Sequence, residues 1–136
     1  MLLTAVCLVG ITGCGSAKPA GPPSPAALAH KLGCQIYDYF SDVEWSYDTA
    51  KAANLENGPC GGNSGDIVVI TFPTQRLEDD WLHENALAQS AGAGNPGGAY
   101  VGYNYLAVGH LWVAGSVGNS SLSFVIRALG GRISYF

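Results

Sequence analysis

Prolines at positions 19, 22, 23 and 25 divide this chain. Each fixes its own φ, lacks an amide proton and pushes the residue before it out of the helical region. Neither a helix interior nor a central strand can therefore run through Pro19-Ala20-Gly21-Pro22-Pro23-Ser24-Pro25. A packed core is expected to follow this stretch, in residues 26–136, and the stretch itself reads as an extended, semi-rigid tether. With 136 residues, 48% of them apolar and 12% charged, the chain has material for a single domain.

Ahead of the prolines, Leu2-Leu3-Thr4-Ala5-Val6-Cys7-Leu8-Val9-Gly10-Ile11 is an uncharged apolar run. It is too short to span a bilayer as a helix and has the length of a signal-peptide core. It leads into Ile11-Thr12-Gly13-Cys14, which resembles the bacterial lipobox at all four positions: aliphatic, small, Gly, then the cysteine that receives lipid. The expected organisation is a cleaved signal peptide over 1–13, a lipidated Cys14 with its proline-rich tether over 14–25, and one domain over 26–136. No Lys or Arg precedes the apolar run, which leaves open a start upstream of Met1. The competing reading, residues 2–13 as a buried strand or helix of the domain, is opposed by the prolines. Lipid on Cys14 would contribute about 0.8 kcal/mol per buried methylene, enough with two or three acyl chains for a firm anchor.

Of four cysteines, Cys7 leaves with the signal peptide and Cys14 takes lipid, so Cys34 and Cys60 remain for the domain. Outside the cytoplasm they are expected to pair, contributing on the order of 3–4 kcal/mol by the chain-entropy model. Metal binding is the weaker alternative, since there is no CxxC pair and no His at zinc-finger spacing.

The folded part reads as a helix over 25–33 capped by Ser24 and ended by Gly33, then an aromatic-rich strand over 35–40. A loop over 41–65 carries one short strand near 52–56. Ile67-Val68-Val69-Ile70-Thr71-Phe72 is an apolar β-branched run expected at the centre of a sheet, buried on both faces. Thr74 caps the next helix, with Glu78, Asp79 and Asp80 near its positive end and Leu77, Trp81 and Ala88 along one side. After a glycine-rich loop over 91–98, residues 99–108 and 111–117 read as a hairpin through Gly109-His110, Gly109 suiting the first place of a type II′ turn. A last helix over 120–129, capped by Asn119 and stopped at Gly130-Gly131, places Leu122, Val125, Ile126 and Leu129 together, and 133–136 adds an edge strand. This order predicts an α+β fold: a small two-layer sandwich, its sheet mainly antiparallel, with about three helices on one face.

A two-residue turn at Gly109-His110 pairs Val108 with Leu111 and Leu106 with Val113 on one face, leaving Tyr103, Tyr105 and Trp112 on the other. If open, that aromatic face is a candidate binding surface for sugar or peptide. The plainer reading packs these rings on Trp45, Tyr37 or Tyr39 as a second small core.

Charge and motif exclude several classes. Net charge is -4, and the ten acidic residues all lie at or before Glu84, which disfavours a nucleic-acid partner. Cys60-Gly61-Gly62-Asn63-Ser64-Gly65 is similar to the segment around the nucleophile of chymotrypsin-like proteases, but Asn63 replaces its aspartate and the chain is too short for two barrels. His83-Glu84 begins like HExxH, yet Leu87 stands where the second ligand belongs. Asp80 and Glu84 read as surface charge. The sequence assigns no catalytic residue, no metal ligand and no cofactor.

The lipobox, Leu32-Gly33-Cys34, Cys60 ahead of a strand ending Thr71-Phe72, the helix with Trp81, Val108-Gly109-His110-Leu111-Trp112-Val113 and Leu129-Gly130-Gly131 together resemble small lipoproteins of actinobacteria and actinobacteriophages with one disulfide. The resemblance implies a location and a disulfide, and no activity. The expected function is a membrane-anchored, extracytoplasmic binding or interaction module at the cell envelope, held by lipid on Cys14, with an envelope protein or polymer as partner. In a prophage setting it would act in superinfection exclusion. The alternative is a small cell-envelope hydrolase whose site is assembled from distant residues.

Overall fold

In the computed structural model, which describes residues 21–40, 50–61, 67–90, 105–116 and 122–136, the chain enters the domain through the largely exposed residues 21–24. Helix α1 (Pro25–Leu32) starts where the sequence demands: Pro25 needs no amide partner at the first position, and Ser24 Oγ accepts from Ala27 N at 3.1 Å. Its end is a Schellman motif. Gly33 adopts φ 71° and donates to His30 O, while Cys34 N reaches back to Ala29 O at 3.0 Å. That reversal presents Cys34 to Cys60, which closes the short 3₁₀ turn Gly58–Cys60, and the two form a disulfide with Cα atoms 5.8 Å apart. Both are buried.

Strands β1 (Gln35–Phe40), β2 (Lys51–Glu56), β3 (Ile67–Thr71), β4 (Tyr105–Gly109), β5 (Trp112–Ser116) and β6 (Arg132–Tyr135) form one open antiparallel sheet in the order β1-β2-β3-β5-β4-β6. The β-branched run of β3 lies inside it, between β2 and β5, with every residue buried, as its composition predicts. A bulge between Ile36 and Asp38 sets Tyr37 outside the β1–β2 ladder.

The α+β class, the antiparallel sheet and the three helices agree with the sequence reading. Expected on one face, however, the helices divide between two. Helices α1 and α3 (Ser123–Leu129) pack against each other, and Leu28, Leu32, Leu122 and Val125 meet Ala53, Leu55, Ile67, Val69, Ala107 and Ala114 of the sheet. Helix α2 (Gln75–Ser90) covers the opposite face, where Trp81, Leu77 and Leu82 meet Ala52, Val68, Ile70, Phe72, Leu106, Val108 and Val113. The cause is visible along β3 and β5. Both pleats are apolar, so each face requires a cover.

The turn between β4 and β5 also differs from expectation. Gly109 pairs with Trp112 and Val108 with Val113, so the two turn residues are His110 and Leu111. The positive φ falls on Leu111, at 63°, and Gly109 is not in the left-handed region. Gly109 serves for space instead: a Cβ there would lie 2.1 Å from the Trp112 ring, which crosses it. Moving the turn by one residue shifts the pairing while preserving which side chains share a face, because the pleat repeats every two residues. The Asn119 cap, residues 99–104 and the glycine-rich loop fall outside the described residues. The last helix is described from Ser123, with Leu122 at its N-cap position and no side-chain cap.

Candidate functional site

Tyr103, Tyr105 and Trp112 form a candidate binding surface only if their face is open, and of these the structure describes Tyr105 and Trp112. Trp112 is 5% exposed, packed in the core beneath α1 and α3. Tyr105 sits at the rim and pairs with Tyr135 of β6, their ring centroids 6.3 Å apart. Tyr103, Trp45, Cys14 and Ser64 lie outside the described residues. Tyr37 and Tyr39 are exposed on the edge strand β1.

A different site appears on the α2 face, where the helix leaves a cleft of about 350 Å³ against the β4–β5 turn and the start of β6. Its floor is Glu78. The sequence places this residue in the first turn of α2 as a partner of the helix dipole, yet it is 1% exposed. Glu78 Oε2 accepts from Leu111 N at 2.7 Å, while Leu111 O accepts from Phe72 N at 2.9 Å. The carboxylate and the end of β3 thus hold both sides of a non-glycine residue in a left-handed conformation that otherwise costs about 1–2 kcal/mol. Burial pushes the Glu78 carboxyl above its ordinary range, and the charge of Asp79 adds to this. The Leu111 amide opposes it, helped by Gln75 and His110, without cancelling the rise.

At the turn end of the cleft, His110 Nδ1 lies 3.0 Å from Gln75 Oε1. An amide oxygen only accepts, so Nδ1 carries the proton of this hydrogen bond. Gln75 Nε2 in turn donates to Asp79 Oδ1 at 3.0 Å. The far wall is Gly131 and Arg132, and Arg132 Nη1 donates to Ser134 Oγ at 2.9 Å. Leu82 and Val108 supply the apolar surface.

Sequence reasoning missed this site because its parts are far apart in the chain and Glu78 looks like ordinary helix-start charge. One signal was available. Glu78, Trp81 and Asn85 stand at i, i+3 and i+7, the inner face of a helix, and all three are buried. The surface reading of Asp80 holds: it faces Arg76 at 3.7 Å, with much of both side chains in solvent. Among the described residues there is no cluster of His, Cys, Asp and Glu able to hold a metal, and no helix long and apolar enough to cross a membrane.

No family model, curated protein or solved structure matches the chain.

Proposed function

We propose that this chain is an extracytoplasmic lipoprotein, anchored by lipid on Cys14, that acts as a binding module at the cell envelope and takes its ligand in the α2 cleft. The observation that carries the location is the buried Cys34–Cys60 disulfide, a bond that persists in oxidising compartments. The lipobox and the proline tether support the anchor, and the resemblance to actinobacterial and phage lipoproteins points the same way. Binding is favoured over turnover because the titratable groups of the cleft are engaged in the fold: Glu78 holds Leu111, and His110 is held by Gln75. The test is intact mass and detergent-phase partition in an actinobacterial host, comparing wild type with Cys14→Ala under non-reducing conditions. Acyl mass and detergent partition lost in the variant are the expected results, and a soluble, unprocessed, reduced protein overturns the reading. For the prophage version, phage plating on expressing cells decides, and normal plating removes it.

A second reading, a small envelope hydrolase, has one observation in its favour: a cleft carboxyl that keeps its proton above the usual range is suited to general-acid work. Turnover of peptidoglycan or ester substrates that is abolished in Glu78→Gln would establish it.

A further inference from the structure

The α2 cleft is lined by opposite charges from different elements, each hydrogen-bonded to a neutral partner. Asp79 on α2 is positioned by the Gln75 amide and Arg132 on β6 by the Ser134 hydroxyl, so neither hydrogen bond cancels a charge. Neither residue is ion-paired within the described part of the molecule. Leu82 and Val108 add apolar side chains to the lining, together with His110. A ligand complementary to this arrangement has a cationic group and an anionic group separated by a short, partly apolar body. A volume of about 350 Å³ is at the small end for ligand sites.

We propose that the cleft binds a small zwitterion, an amino acid or the free end of a short peptide, with its ammonium toward Asp79 and its carboxylate on the Arg132 guanidinium. A guanidinium fork matches a carboxylate in two parallel hydrogen bonds, which a sugar hydroxyl or an amide cannot reproduce. Glu78 Oε2 is engaged by the Leu111 amide at 2.7 Å, which leaves Asp79 as the acidic group on α2 that meets the ligand. This inference names the ligand class of the binding module proposed above and rests on that reading for its cellular setting, while the chemistry of the cleft is independent of where the chain resides.

The test uses the full chain, disulfide intact, in detergent micelles, with ¹⁵N–¹H spectra recorded during titration of alanylalanine. Saturable shifts at the amides of Asp79, His110 and Arg132 are expected. N-acetylation or C-terminal amidation of the dipeptide should each weaken binding about tenfold, as should Arg132→Met and Asp79→Asn, with Arg132→Lys recovering part of the loss. Alanine binding as tightly as the dipeptide identifies free amino acids as the class, and a strong preference for the dipeptide identifies peptide ends. Absence of saturable shifts up to about 20 mM, or equal binding of the blocked peptides, overturns the proposal. Either result is separable from the lipid-anchor reading, which the mass and partition experiment decides without any ligand.

Discussion

The two faces of the sheet are built to different specifications. Under α1 and α3 the buried residues are apolar apart from Thr71 at the end of β3, two helices share the cover, and the Cys34–Cys60 disulfide fastens the end of one helix to the turn after β2. Under α2 a single helix does the covering, and it carries buried Glu78 and Asn85 on its inner side and leaves a cleft at its flank. A buried carboxyl is costly and contributes little to stability compared with an apolar residue of similar volume. The contrast separates a face that stabilises the fold from one where part of that stability has been exchanged for a polar recess.

The comparison can be broken by substitution, starting where the effect is greatest. Trp81→Ala removes the main apolar contact of α2, including the ring packed 6.0 Å from Phe72, and should cost about 3–5 kcal/mol in chemical denaturation. A cost below 1 kcal/mol would mean that α2 is barely attached. Replacing both Cys34 and Cys60 by Ala should cost about 3–4 kcal/mol for a loop closing over 26 positions, and should leave the α2 cleft unchanged in amide spectra. Spectral changes around His110 would show instead that the two faces are coupled.

Glu78→Ala should cost about 1–3 kcal/mol, since it leaves the buried Leu111 amide without its acceptor. Glu78→Gln sharpens the point through pH. The folded pKa of Glu78 is raised, so its contribution is complete below the ordinary value of about 4.5 and is lost as pH rises through the folded value. Thermal melts across that range should therefore show the Gln variant gaining on wild type as pH increases. A constant difference would place the Glu78 carboxyl in a solvated environment. The smallest effect is expected from Ser24→Ala, about 1 kcal/mol, through loss of the α1 cap.

Much of the fold was legible because local chemistry dictated it. Ser24, Pro25 and Gly33 bounded α1, β-branched density marked β3, and the two cysteines remaining after the lipobox pointed to their own pairing. What stayed hidden depended on tertiary context. Nothing local says that Gly109 is needed as room for an indole rather than for a turn, and the β4–β5 register slipped accordingly. The division of helices between faces followed from sheet order, which placed β5 rather than β4 beside β3 and so buried both pleats at the centre. The candidate site was the least legible part. Tyr105 and Trp112 suggested a binding surface only if their face were open, whereas Trp112 fills the core and the recess is assembled from Gln75, Glu78, His110 and Arg132 across three elements.

The position of β3 also governs how this chain reaches its native state. Its five residues pair on one side with nearby β2, but on the other Val69 must wait for Ala114, close to the C-terminal end. Until that late partner arrives, Ile67-Val68-Val69-Ile70-Thr71 is an adhesive, β-prone segment with one open edge, the kind that nucleates intermolecular association. Asp66 stands immediately before it and Pro73 two positions after it, a charge and a ring at the two ends. Residues of these kinds at the ends of an apolar strand suit a gatekeeper role, here beside a strand that is fully buried once the sheet has formed.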